Sequence, residues 1–111
     1  MGKINSRAKG AQAEREVAKI FTSCGFPARR GQQFSGIGES PDVVCPTLTN
    51  IHIEVKRVEM LNIEAAYQQA DRDAKGKLPI VVHRKKGEKW KVTLSLADFL
   101  GAFIKPHLIY Y

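Results

Sequence analysis

The stretch "SPDVVCPTLTNIHIEVKRVE", residues 40–59, decides the fold, and it carries charged residues where a strand normally carries apolar ones. Two short apolar runs flank the turn sequence "TLTN", a pattern that predicts a β-hairpin. Asp42 precedes the first run, and Glu54 and Lys56 lie two residues apart in the second, where they share one face of a strand. The predicted hairpin therefore brings two carboxylates and one amine together.

Segments on both sides of the hairpin predict the remaining elements of an α/β domain. Helical periodicity over residues 6–24 stops at Gly25, and a second helical segment lies between Asn62 as N-cap and Gly76. "FPARRG", "LPIVVHR" and "KWKVTL" predict three further strands, and Ser95 caps a last short helix that ends at Pro106. The order α-β-β-β-α-β-β-α predicts a compact sheet with helices on its faces.

The first predicted helix has one apolar face, which we expect to pack on the sheet. That face contains Ala13, Val17, Ile20, Phe21 and Cys24. Glu14 lies on the core-side edge of this face and Glu16 borders its other side, so a shift in register would exchange their roles. Cys24 and Cys45 lack C-x-x-C spacing and lie in apolar surroundings, and we interpret both as reduced core residues.

The charge balance predicts a polyanionic partner. The 111 residues include 18 Lys and Arg against 11 Asp and Glu, a net charge of +7. Such a balance favours nucleic acid over an anionic membrane surface. The length fits one domain, residues 1–111, with a basic arm at residues 1–9 and an apolar tail at residues 104–111. No apolar run approaches the roughly 20 residues of a membrane span and no signal-peptide region is present, so we expect a cytoplasmic protein without membrane association.

The charged residues of the hairpin predict a metal-dependent hydrolytic site. Converging carboxylates of Asp42 and Glu54 repel each other unless a divalent cation lies between them. Mg²⁺ favours such a site, where one or two carboxylates and a backbone carbonyl combine with waters. The Lys56 ammonium would orient a metal-bound water or stabilise charge on a phosphate, which suits phosphodiester hydrolysis. The three histidines lack metal-ligand spacing and form no convincing general-base cluster.

Each of these residues also has an ordinary structural interpretation. Glu54 and Lys56 suit an exposed ion pair on an edge strand, worth under about 1 kcal/mol. Asp42 suits a turn that follows Pro41. The combination of all three with an acid at a helix edge and a basic chain favours the metal site over these separate explanations.

The same residues resemble the signature of a nuclease superfamily. "PDVV" followed by "IEVK" is similar to the P-D…(D/E)-x-K motif of the PD-(D/E)-x-K nucleases. "KGAQAERE" resembles the opening helix of archaeal-type Holliday junction resolvases, which also occur in phages. The resemblance covers residues 7–94 and implies a restriction-endonuclease-like mixed β-sheet of about five strands flanked by helices. It also implies a crossover junction endonuclease that depends on Mg²⁺, with Mn²⁺ as a substitute.

The resemblance implies a role for each residue of the motif. Asp42, Glu54 and Lys56 correspond to the catalytic core, and the Val55 carbonyl joins the two acids as a metal ligand. Glu14 corresponds to the helical glutamate that completes the metal site. These positions agree with those selected by strand and helix spacing alone.

The predicted DNA-binding residues are basic, with one loop serine. They are Lys9, Arg15, Arg29, Arg30, Ser35, Arg57, Arg84, Lys85 and Lys86. Arg15, Arg30 and Ser35 rest on the resemblance, whereas the basic stretch "HRKKGEKWK" is either a solvated hairpin tip or a patch that follows phosphates. Related nucleases often have a glutamine near the metal water, but here Gln68 and Gln69 are interpreted as surface residues of the second helix.

Together these features predict a structure-selective DNA endonuclease that resolves four-way junctions by paired symmetric cuts. One small domain carries one site, so two cuts on one junction require a two-fold homodimer. No small-molecule cofactor is predicted. The alternatives are another DNA repair or restriction-like endonuclease of the superfamily, and a non-catalytic basic DNA-binding module.

Overall fold

A computed structural model describes residues 6–31 and 41–107, which form a five-stranded sheet with helices packed against it. The strands are β1 (Arg29–Arg30), β2 (Val43–Val44), β3 (Ile51–Arg57), β4 (Leu78–Arg84) and β5 (Lys91–Thr93). The helices are α1 (Ser6–Ser23), α2 (Ile63–Ala74) and α3 (Leu96–Phe99), and α3 continues into a π-helical turn (Leu100–Ile104) and a 3-10 turn (Lys105–His107). Within these ranges, no helix is long and apolar enough to cross a membrane.

The strands lie in the spatial order β1-β2-β3-β4-β5, so sequence neighbours are also neighbours in the sheet. β1, β2 and β3 are antiparallel, and Val43 pairs with Ile53 in the predicted hairpin. β3 and β4 are parallel and are connected by α2, whereas β5 returns antiparallel to β4. The sheet is therefore mixed, and the order of the elements agrees with the order predicted from the sequence.

The helix α1 ends close to its predicted boundary but presents a slightly different face to the sheet. Gly25 adopts a φ of +96°, a conformation that favours glycine at a helix end. Ala13, Val17 and Ala18 are buried against β2, β3 and β4. The predicted burial of Ile20 and Cys24 is wrong, since both are exposed. The small side chains of Ala13 and Ala18, rather than the larger Ile20, lie at the closest approach to the sheet.

The helix α2 begins and ends as its sequence predicts. The side chain of Asn62 accepts a hydrogen bond from the Ala65 amide at 3.1 Å, as expected of an N-cap. At the other end, Lys75 and Gly76 adopt positive φ angles of 49° and 89°. A stripe of small residues on this helix, Ala66, Ala70 and Ala74, is buried. This stripe allows α2 to lie close to the sheet, where Val81 packs against it.

The central strand β3 is buried on both faces, which positions the candidate site. Ile53 and Val55 belong to the core beneath α1. Glu54 lies between them in sequence and faces the other side of the sheet. It pairs in parallel register with Val81, which packs against α2. The opposite face of β3 therefore places a buried acid between the sheet and α2.

The segment after β5 projects its apolar side chains outward. Ser95 caps α3 by accepting a hydrogen bond from the Asp98 amide at 3.0 Å. No residue between 96 and 107 is buried, and Pro106 lies inside the 3-10 turn. Of the predicted arm and tail, residues 1–5 and 108–111 lie outside the described residues, as do residues 32–40. Cys45 is buried as predicted, and both cysteines are free thiols.

Candidate active site

A depression of about 600 Å³ lies beside the end of β3, between α1 and α2. It is lined by Lys9, Gly10, Glu14, Asp42, Glu54, Val55, Lys56, Arg57, Val58, Glu59 and Gln69. All of the residues predicted from the sequence to form the catalytic and metal site are therefore in one place. They come from α1, from the residue before β2, and from β3, three parts of the chain that the sheet brings together.

The backbone around Asp42 is held on both sides, which places its carboxylate beside β3. The Asp42 amide donates to the Ile53 carbonyl at 2.9 Å, and the Asp42 carbonyl accepts from the Gly31 amide at 2.9 Å. The side-chain Oδ2 accepts from the Val55 amide at 2.8 Å. With 6% of its surface exposed, Asp42 is almost completely removed from solvent. Its position is set by neighbouring strands rather than by a flexible loop.

Burial and the nearby acids raise the pKa of Asp42 to about 8. Removal from water is the largest cause, followed by the charge of Glu54 and a side-chain hydrogen bond with Glu54, with a smaller effect from Glu14. The hydrogen bond from the Val55 amide acts in the opposite direction. A proton or a cation is thus needed to neutralise this pair near pH 7. Two buried carboxylates with hard oxygen donors match the ligands that Mg²⁺ prefers.

Glu54 is held by a residue that sequence reasoning did not select. Its Oε1 lies 2.7 Å from Nε2 of His52, and both side chains are buried. The sequence contained a signal for this contact, because residues i and i+2 of one strand share a face. The spacing of the three histidines relative to one another does not reveal this contact, because the partner of His52 is an acid and not another histidine.

The structure distinguishes Glu14, the predicted helical acid of the site, from Glu16, which a shift in helix register would have put in its place. Glu14 lines the depression, and its Oε1 accepts a hydrogen bond from Arg30 Nε at 2.8 Å. Glu16 lies elsewhere, where it accepts from Trp90 Nε1 at 3.0 Å and from Arg84 at 3.3 Å. The Trp90 hydrogen bond, with help from Arg84, lowers the pKa of Glu16. Glu16 is therefore a structural residue at the edge of the core.

Lys56 reaches a glutamine that was interpreted as a surface residue. Its Nζ lies 3.4 Å from Oε1 of Gln69, and both residues line the depression. The interpretation of Gln69 is thus wrong, whereas Gln68 is exposed as expected. Gln69 directly precedes Ala70 of the buried stripe, at the edge that borders β3. Periodicity alone does not show which edge of a helix faces a site.

Asp42 and Glu54 form a close pair, and Glu14 lines the same depression without joining them in one cluster. Among residues 6–31 and 41–107, no group of three His, Cys, Asp or Glu side chains is close enough to hold a metal ion together. Asp42 and Glu54 are in hydrogen-bonding contact, while the Glu14 carboxylate is bound to Arg30. The Asp42–Glu54 pair is the part of the site whose oxygen donors fit a divalent cation. Glu14 would join it after releasing Arg30, or act through water.

Structural comparison relates the fold to that of a solved protein. The structure of Hjc, a Holliday junction resolvase from the archaeal hyperthermophile Archaeoglobus fulgidus, is similar to this chain with a TM-score of 0.55 and 23% sequence identity. The match covers 78% of this chain and 72% of that chain. This chain has the fold of a Holliday junction resolvase. The predicted fold class and the resemblance are confirmed at the level of the fold.

Sequence comparison adds nothing to this likeness. No protein-family model and no curated protein matches the chain. The likeness therefore rests on the arrangement of the sheet and helices. On this fold, Asp42, Glu54 and Lys56 line one depression.

On the resolvase fold, the predicted DNA-binding residues divide into three groups. Lys9 and Arg57 line the depression itself. The exposed members are Arg15, Arg29, Arg30, Lys85 and Lys86. Arg84 differs, since its side chain is 13% exposed, binds Glu16 and lies over the Trp90 ring at 5.0 Å, which assigns it to the core edge. Ser35 lies outside the described residues.

Proposed function

We propose that the protein is a divalent-cation-dependent endonuclease that resolves four-way DNA junctions. The observation that carries the proposal is the buried Asp42–Glu54 pair with Lys56 beside it, in a depression of the resolvase fold. A structural ion pair on an edge strand does not explain it, because β3 is a central strand and both acids are almost fully buried. Buried carboxylates in contact require a neutralising partner.

Asp42, Glu54 and the Val55 carbonyl would hold the cation, which is Mg²⁺ with Mn²⁺ as a substitute. Once bound, the cation supplies Lewis-acid activation of the phosphate and of the attacking water. Lys56 orients that water and stabilises negative charge on the phosphate, and Gln69 at 3.4 Å from its Nζ limits where the ammonium lies. Glu14 supports the site from α1. In-line displacement then leaves a 5′-phosphate and a 3′-hydroxyl.

The charge of the chain supports DNA as the substrate. Lys9 and Arg57 lie in the depression, close to where a scissile phosphate would bind. Arg15, Arg29 and Arg30 are exposed on the neighbouring α1 and β1. Contacts of this kind bind the phosphate backbone and select the shape of the DNA rather than its sequence. We therefore propose recognition of branched DNA by shape.

Paired cutting requires two sites, and we propose a two-fold homodimer. The surface that supports it is an apolar stripe on the segment after β5, hereafter the C-terminal stripe. It consists of Leu96, Phe99, Leu100, Phe103 and Ile104, each at least 40% exposed. The residues extend over α3 and the π-helical turn that follows it, and the rings of Phe99 and Phe103 lie beside each other with centroids 6.1 Å apart. Among the residues that the structure describes, these side chains form an exposed apolar patch, which is typical of an interface.

A cleavage assay tests the proposed function. Wild-type protein and Asp42→Asn are incubated with a four-way junction and with linear duplex, in Mg²⁺ and in chelator. We expect symmetric paired cuts on the junction in Mg²⁺ alone, and none from Asp42→Asn despite retained junction binding. Equal cutting of linear duplex would favour another nuclease of the superfamily, and binding without cutting would favour a non-catalytic DNA-binding module.

A further inference from the structure

His52 and Glu54 form a closely defined pair on the α2 side of β3. The Nε2 of His52 is 2.7 Å from Oε1 of Glu54, and the two residues are 2% and 4% exposed. They are i and i+2 on one strand, so the regular pleat of β3 aims both side chains at the same face. Burial in a packed layer between sheet and helix leaves the pair little freedom to adopt another geometry.

The chemistry of the two groups sets the direction of this hydrogen bond. An ionised carboxylate has acceptor oxygens and no donor, so the hydrogen lies on Nε2 of His52 whenever Glu54 is ionised. A bond to an ionised acceptor is stronger than one between neutral groups. Asp42 contacts the same carboxylate. The Glu54 carboxylate therefore lies between His52, which binds its Oε1, and Asp42.

We propose that His52 is a positioning residue of the metal site, which holds Glu54 in the orientation that binds the cation. The proposal rests on the proposed function and extends it. The P-D…(D/E)-x-K signature contains Asp42, Glu54 and Lys56 but does not include position 52, so the role of His52 comes from the contact in this structure. Outer partners of metal ligands fix ligand orientation and basicity, and their loss typically weakens metal binding about 10- to 100-fold.

A purely structural role for His52 predicts a different outcome from a positioning role. If the pair only fills the layer beneath α2, its loss lowers the melting temperature and leaves metal affinity unchanged in the folded protein. If His52 orients Glu54, metal affinity falls even where the fold is intact, and a side chain that restores the donor at the Nε2 position restores affinity. Metal binding to the protein alone separates the two roles without a cleavage assay.

The experiment measures Mn²⁺ binding by isothermal titration calorimetry at one pH near neutrality, with circular dichroism to confirm folding. His52→Leu removes the donor, and His52→Gln offers an amide N–H at about the Nε2 position. His52→Asn is polar but too short to reach Glu54, and provides the same comparison if His52→Leu does not fold. His83→Leu is the matched control, because His83 bonds Thr93 Oγ1 at 2.8 Å outside the depression.

We expect His52→Leu and His52→Asn to bind Mn²⁺ about tenfold or more weakly, while His52→Gln and His83→Leu stay near wild type. Half-maximal Mg²⁺ for junction cutting should shift in the same order. Folded His52→Leu or His52→Asn with wild-type Mn²⁺ affinity would overturn the role of His52 alone. A wild-type protein that binds no Mn²⁺ would overturn the proposed metal site, and with it this inference.

Discussion

Asp42 and Glu54 place two acids in contact where a sheet of this size normally buries apolar groups. They are the buried acidic residues among those described, and His52 is buried with them. An uncompensated buried charge is costly, so such a pair is neutral or partly neutralised in the folded protein. The pKa of Asp42, raised to about 8 by burial and by Glu54, expresses this requirement when no cation is bound.

The raised pKa of Asp42 predicts how the metal-free protein responds to pH. Between the ordinary value of 3.8 and about 8, the folded protein retains a proton that the unfolded chain has lost. The contribution of Asp42 to stability therefore falls as pH rises through this window. Asp42→Asn removes the titrating group, while the side-chain amide oxygen still accepts the hydrogen bond from the Val55 backbone N–H. In chelator we therefore expect the melting temperature of Asp42→Asn to exceed that of wild type by more at pH 8.5 than at pH 5.

Asp71→Asn is the matched control for this measurement, because Asp71 is an exposed carboxylate on α2. Its melting temperature relative to wild type should be the same at both pH values. Added Mg²⁺ should stabilise wild type at pH 8.5 and leave Asp42→Asn unchanged, since a ligand stabilises the state that binds it. An equal gap between Asp42→Asn and wild type at the two pH values would contradict the raised pKa of Asp42.

The sequence identified the residues whose position follows from strand periodicity. Glu54 and Lys56 are two residues apart on β3, and Asp42 directly precedes β2, the strand that pairs with β3, so spacing was sufficient. The position of Gln69 in the depression was not predicted, because the rotation of α2 about its own axis depends on how the helix packs on the sheet. The contact of His52 was not predicted either, because neither composition nor a sequence motif shows that its Nε2 lies 2.7 Å from Oε1 of Glu54.

At the scale of elements, Gly31 sets the distance between β1 and the start of β2. A Cβ at Gly31 would overlap the Pro41 carbonyl oxygen, which belongs to the backbone and cannot turn away as a side chain can. We expect Gly31→Ala to displace the Pro41–Asp42 backbone, to lower stability by about 1–3 kcal/mol, and to weaken Mn²⁺ binding. Gly101→Ala is the control, since nothing lies within 4 Å of its Cβ position. Unchanged Mn²⁺ affinity in Gly31→Ala would show that Asp42 tolerates this shift.

The hydrogen bond from Trp90 to Glu16 joins α1 to the region before β5. Trp90→Phe keeps an aromatic ring beneath Arg84 but removes the Nε1–H that lies 3.0 Å from Glu16. We expect a loss of about 1 kcal/mol, because the bond is charge-assisted but Glu16 is partly exposed. Thermal melting measures the loss, and Mn²⁺ affinity should stay the same. A matching loss of Mn²⁺ affinity would mean that this contact also positions the metal site.

Element boundaries were predictable where one residue type has a local physical role. Asn62 caps α2 with its side chain and Gly25 takes the positive φ after α1, so both ends could be read from the sequence. The buried face of α1 was less accurate. Ile20 and Cys24 fit the helical period but lie outside the contact, because the sheet meets the helix along Ala13, Val17 and Ala18.

The basic residues and the largest group of exposed apolar side chains lie on different parts of the protein. Basic residues line the depression and the neighbouring surface, which suits binding to phosphates. The C-terminal stripe carries large apolar side chains at 40–71% exposure. Exposed apolar side chains grouped in this way favour contact with another protein surface over contact with water.

The C-terminal stripe predicts that dimerisation and paired cutting depend on the same side chains. The double substitution Leu100→Glu with Phe103→Glu places charges in the centre of the stripe, where burial against a second copy would desolvate them. We expect the mass from light scattering to fall from dimer to monomer, and junctions to receive single nicks instead of paired cuts. Met60→Glu is the control, because Met60 is 92% exposed and lies outside the stripe. A double variant that remains a dimer would place the interface elsewhere, and a wild type that stays monomeric with junction bound would contradict symmetric paired cutting.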